Sequence, residues 1–150
     1  MALEKREQLT EGDIISAIEV YLTVDNASEA IAFYEKAFGA KVTYRELTPD
    51  GERVQHASLA AFGGHFMLSD YFPEYSTDVA PRGADAKGSM TVQINLASPL
   101  EVDGAIARAV GAGGTVTAPA SDTFWVMRYG RVRDPFGHVW AFSAPLPLGP

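Results

Sequence analysis

The chain has 150 residues, 47% of them hydrophobic and 21% charged, which is enough apolar content to bury one core. Its net charge of −7 argues against a nucleic-acid groove, which needs a basic face, and no apolar run is long enough to span a membrane. Having no cysteine, it has no disulfide, no thiolate zinc site and no cysteine nucleophile.

Residues 1–15 read as a charged N-terminal extension without the apolar stretch of a secretory signal, so a cytoplasmic location is expected. Residues 16–70 read as a first module. Alternation puts Ile18, Val20, Leu22 and Val24 on one face and Glu19, Tyr21 and Thr23 on the other, the pattern of a half-buried strand. Asn26, three residues before Glu29, announces a helix with the stripe Ala30, Ile31, Tyr34 and Phe38, ended by Gly39. Strands follow at 41–47, 53–62 and 66–70, with Pro49-Asp50-Gly51 turning the first hairpin. Residues 71–89 form a long loop without period, whose Tyr71, Phe72 and Tyr75 either pin the connection or cover a pocket.

Residues 90–145 repeat the pattern about 72 positions later. Val92, Ile94 and Leu96 alternate with Thr91, Gln93 and Asn95. Ser98, Pro99 and Glu101 then open a helix striped by Val102, Ala105, Ile106, Ala109 and Val110, and the glycines between 111 and 114 close it. Strands are expected at 115–118, 124–133 and 139–144, with a short tail at 146–150. The fold class is α+β: βαβββ, twice.

The phrases "AIAFYEKAFGAKV" and "DPFGHVWAFS", with the duplication, resemble the vicinal oxygen chelate superfamily of glyoxalase, bleomycin-resistance and extradiol-dioxygenase proteins. "YLTVDNASEAIAFYEKAFGA", "HASLAAFGGHFMLSD" and "RYGRVRDPFGHVW" look most like its PhnB-like branch, and the likeness spans roughly residues 16 to 145. The resemblance implies that each module is a curved half-barrel, that the modules form a cavity for a small organic molecule, and that the protein is a homodimer. Metal-dependent relatives take ligands from the first and last strands of each module, at positions matching Glu19, Met67, Thr91 and Ala141. One carboxylate among a thioether, a hydroxyl and a methyl does not make a zinc, magnesium or manganese site. The usual metal centre is therefore not expected, while a divalent metal on another ligand set stays open.

Glu19 and His56 are the candidate catalytic acid–base groups, one on a polar strand face and one with an ordinary pKa suited to proton transfer. Tyr21, Thr91, Gln93, Trp125, Arg128 and Tyr129 are the candidate ligand-binding residues, the aromatic ones for stacking and Arg128 for clamping an anion. Arg131 and Arg133 share the face opposite Arg128 and are expected in strand-edge salt bridges. His65 and His138 are expected in structural roles beside turns, and Trp140 and Phe142 in the core. Three functions follow as alternatives. The first is a metal-free binder of a small organic molecule, which an arginine clamp would make an anion. The second is a lyase or isomerase with a non-standard site, and the third an interaction module that has lost its pocket.

Overall fold

Each half of the chain folds into an open four-stranded sheet backed by a helix. The computed structural model describes residues 16–81 and 86–149, so the charged extension 1–15 lies outside the described residues. The first half contains β1 (Tyr21–Val24), α1 (Ala27–Phe38), β2 (Lys41–Leu47), β3 (Val54–Ala61) and β4 (Gly64–Asp70). The second contains β5 (Thr91–Asn95), α2 (Pro99–Gly111), β6 (Thr115–Asp122), β7 (Met127–Arg133) and β8 (Val139–Pro145). The strand orders are β1-β4-β3-β2 and β5-β8-β7-β6, and neither sheet closes into a barrel. In each, the first strand runs parallel to the last, and all other pairs are antiparallel.

The expected caps form. Asn26 accepts a hydrogen bond from the Glu29 backbone, Gly39 takes the left-handed conformation at φ 65, and Ser98 and Glu101 make a reciprocal capping box. Three strand limits differ from expectation by three residues or more. β1 begins at Tyr21 rather than Ile18, whose side chain is exposed. β6 runs on through Pro119 to Asp122, because it is an edge strand with register breaks around the proline, where a missing N–H costs no ladder bond. β7 begins only at Met127. The apolar run Phe124–Val126 is instead a tight turn, with Val126 at φ 65 and its N–H bonded to the Thr123 carbonyl.

One core serves both halves. Tyr34 and Phe38 of α1 meet Trp140 of β8 with ring centroids 5.5 and 4.8 Å apart, and Phe66 of β4 meets the same indole at 5.1 Å. Polar ties reinforce the contact: Tyr34 donates to Asp134, His138 Nε2 lies 3.0 Å from the Thr23 carbonyl, and Arg108 Nε donates to the Lys36 carbonyl. His138 thus has the structural role expected of it, through the Asp-Pro-Phe-Gly turn. At the end of that turn Gly137 has φ 96, and a Cβ there would come within 2.7 Å of Pro81, so the inter-module loop passes directly against it. Earlier in the loop Phe72 lies 4.2 Å beneath the Arg53 guanidinium, which pairs with Glu74, whereas Tyr75 is exposed. Phe72 therefore pins the loop. With the apolar faces turned inward, the opposite face of each sheet is left open.

Candidate functional site

On the open face of the second sheet, Gln93 of β5, Ser143 of β8, Met127, Tyr129 and Arg131 of β7, and Ala118 of β6 surround a cavity of about 750 Å³. Trp125, from the turn before β7, completes the wall with its ring 6.0 Å from that of Tyr129. Alternation along β7 puts Met127, Tyr129 and Arg131 on this face and sends Arg128, Gly130 and Val132 toward α2. The Arg131 Nε donates to the Tyr129 hydroxyl at 2.7 Å. Among the described residues no carboxylate lines the cavity.

The open face of the first sheet has a different chemistry. Tyr21 Oη lies 2.9 Å from His56 Nδ1, and the two rings are stacked with centroids 5.5 Å apart. With the phenol donating, Nε2 carries the ring proton and faces Ser58 Oγ at 3.5 Å. Tyr44 stands on the other side of His56 at 5.7 Å, and its hydroxyl donates to Glu46. Burial holds the His56 imidazole below its ordinary value of 6.5, while the Glu46 carboxylate pulls it back up. The folded state thus binds fewer protons at His56 than the unfolded chain. Its contribution to stability is complete above pH 6.5 and is lost as the pH falls below that. Glu46→Gln is expected to move the NMR titration midpoint of His56 further down, since it removes the charge that favours imidazolium. An upward move would refute that electrostatic assignment.

Residues 15–142 match the model of the Glyoxalase/Bleomycin resistance protein/Dioxygenase superfamily. The chain belongs to this superfamily. An uncharacterized protein of Mycobacterium bovis is 39% identical over 132 residues, covering 87% of this chain and 84% of that protein. The structure of a glyoxalase-related enzyme from Fulvimarina pelagi superposes with a TM-score of 0.65 at 24% identity, covering 90% of this chain and 94% of that one. A PhnB protein from Bacillus cereus superposes with a TM-score of 0.65 at 18% identity, covering 86% and 99%. At such identities the structural likeness is one of fold.

Against the superfamily's metal positions, the donors here do not fit. Glu19 and Met67 lie in the first half of the chain, Thr91 and Ala141 in the second. Glu19 Oε1 is 3.5 Å from His65 Nε2 and is buried without a hydrogen bond, while His56 pairs with Tyr21. The two candidate acid–base groups are thus not joined. Ala141 is fully buried, and its register partners are Gln93 on β5 and Arg131 on β7. Among the described residues, no three His, Cys, Asp or Glu side chains gather where they could hold a metal.

Of the candidate ligand-binding residues, Gln93, Trp125 and Tyr129 come together on the cavity wall, and Tyr21 sits on the other sheet. Thr91 shares a strand face with Gln93 without lining the cavity. Arg128 is placed on the opposite side of its sheet, where its guanidinium bonds Asp103 of α2 at 3.0 Å and Asp122 of β6 at 3.1 Å. Sequence reasoning gave Arg131 to a strand-edge salt bridge, whereas its guanidinium bonds the Tyr129 hydroxyl on the cavity wall, and it passed over Met127, Ser143 and Ala118. The signal for Arg131 was available, since it is two residues from Tyr129 and therefore on the same face.

Proposed function

We propose that this superfamily member binds a small organic molecule against the open face of its second sheet, without the metal centre of metal-dependent relatives, and that it does so as a homodimer. The observation that carries this reading is the cavity of about 750 Å³, with Trp125, Tyr129 and Met127 for apolar and stacking contact and Gln93 and Ser143 to orient a ligand. The same volume argues against an interaction module that has lost its pocket. Donor chemistry argues against the metal: Ala141 supplies no donor, its neighbour Arg131 repels a cation, and a lone Glu19 is insufficient. A dimer is favoured because both open faces present aromatic surface, Tyr21 being 46% exposed, Trp125 51% and Phe124 94%. The acidic, cysteine-free composition fits a cytoplasmic protein that does not bind nucleic acid. Among the described residues no helix is long and apolar enough to cross a membrane.

Two aromatic probes of one shape, 2-naphthoate and 2-naphthamide, test the reading by titration calorimetry. At least one is expected to bind saturably, with Trp125→Ala weakening it by about tenfold or more. Sedimentation equilibrium of the same protein is expected to give twice the chain mass. Failure of both probes, or indifference of their binding to Trp125→Ala, would remove the cavity as the ligand site, and a monomer would remove the dimer.

A second reading rests on the Tyr21–His56 pair. A lyase or isomerase would use His56 to move a proton, with Tyr21 holding its ring in place. Glu19, 3.5 Å from His65, is not part of the Tyr21–His56 hydrogen bond. Turnover abolished by His56→Ala while ligand affinity persists would favour this reading over a carrier.

A further inference from the structure

We infer that Arg131 anchors an oxyanion of the ligand, so that the cavity selects aromatic carboxylates and comparable planar anions over neutral molecules of the same shape. This rests on the cavity being the ligand site. Four observations converge on it. First, the guanidinium is oriented from within: Nε donates to the Tyr129 hydroxyl at 2.7 Å, which leaves both Nη groups for another acceptor. Second, no carboxylate pairs with Arg131 among the described residues, although the chain has 19 acidic residues against 12 lysines and arginines. Arg53 and Arg128 both have acidic partners, Glu74 for the first and Asp103 with Asp122 for the second.

Third, the side chains beside Arg131 on the flanking strands are both alanines, Ala118 on β6 and Ala141 on β8. Bulkier neighbours would lean over the guanidinium, whereas methyl groups leave it open on its cavity side. Fourth, the wall next to it is aromatic and apolar, made by Trp125, Tyr129 and Met127, and carries no negative charge. A fixed planar fork beside ring faces matches an anion of two coplanar oxygens attached to a flat apolar body. Ala141 acquires a purpose in this arrangement. An acid at that position would pair with Arg131 and fill the space that the ligand's oxyanion takes.

The rival explanation is that Arg131 only clasps Tyr129 and stiffens the wall. The two probes separate these roles when titrated into the wild type, Arg131→Gln and Arg131→Lys. Wild type is expected to bind 2-naphthoate at least about tenfold more tightly than 2-naphthamide. Arg131→Gln should erase that preference, weakening naphthoate by about tenfold while leaving naphthamide within about twofold. Arg131→Lys, which keeps the charge but loses the fork, should fall between. Equal affinity of the two probes for wild type would overturn the inference, as would undiminished naphthoate binding in both variants. So would an equal loss of both probes in Arg131→Gln, which marks a scaffold role. In each of those cases, naphthamide binding that depends on Trp125 leaves the cavity itself standing. If wild type binds neither probe, both the cavity and the anchor fall.

Discussion

Asp134→Ala is expected to lower the unfolding free energy by about 3–5 kcal/mol, the range for removing one side of a fully buried polar network. The carboxylate is 1% exposed and accepts four hydrogen bonds. Oδ1 receives the backbone N–H groups of Phe136 and His138, which shapes the turn into β8. Oδ2 receives the Trp140 indole N–H and the Tyr34 hydroxyl, the latter from the other half of the chain. Truncation strands the buried donors of Tyr34, Phe136 and Trp140, and each loses its partner at the cost of its desolvation. For a chain of this length the melting temperature should fall by roughly 10 °C or more. Asp134→Asn should lie between wild type and Ala, because its amide keeps an accepting oxygen but turns a donor toward donors. Urea denaturation monitored by circular dichroism measures both. A loss below about 1 kcal/mol for the alanine variant would mean that this carboxylate does not hold the halves together.

The duplicated architecture was legible because each part of it leaves a local trace. Period-two alternation marks the first strand of each half, Asn26 and Ser98 mark helix starts, and Gly39 marks a stop. Legibility failed where local chemistry and tertiary position disagree. Pro119 looks like the end of a strand, yet an edge strand tolerates it. Phe124–Val126 looks like strand by composition, but the backbone of Val126 reverses direction there.

The site was less legible than the fold. Alternation alone shows that Arg128 and Tyr129 face opposite ways, so only one of them belongs to a cavity on that sheet. The buried Gly130 and Val132, in phase with Arg128, mark the inward face and give the outward one to Tyr129 and Arg131. Glu19 and His56 are a different case. Their partners follow from the parallel register of β1 on β4, which sets Tyr21 beside Met67 and brings Glu19 to His65, and sequence spacing contains no trace of that register.

Trp140→Ala is expected to cost a further large amount, about 3–5 kcal/mol, as for other buried tryptophans cut to alanine. Its indole is 1% exposed and meets Tyr34, Phe38 and Phe66, all contributed by the first half of the chain. Removing it opens a void that two helices and two sheets would have to move together to fill, and leaves the Asp134 carboxylate one donor short. Trp140→Phe keeps most of the ring contacts and loses the N–H, so about 1–2 kcal/mol is expected. Because the two residues share a hydrogen bond, the losses from Trp140→Phe and Asp134→Asn should not add. Independent melting of the two halves in wild type would contradict a shared core, as would a Trp140→Ala cost below about 1 kcal/mol. The variant also separates scaffold from site. Trp140 points inward from β8 and does not line the cavity, whereas Ser143 of the same strand does. Well below its melting point, Trp140→Ala should therefore bind 2-naphthoate within about threefold of wild type, whereas Trp125→Ala, which scarcely disturbs the core, should not.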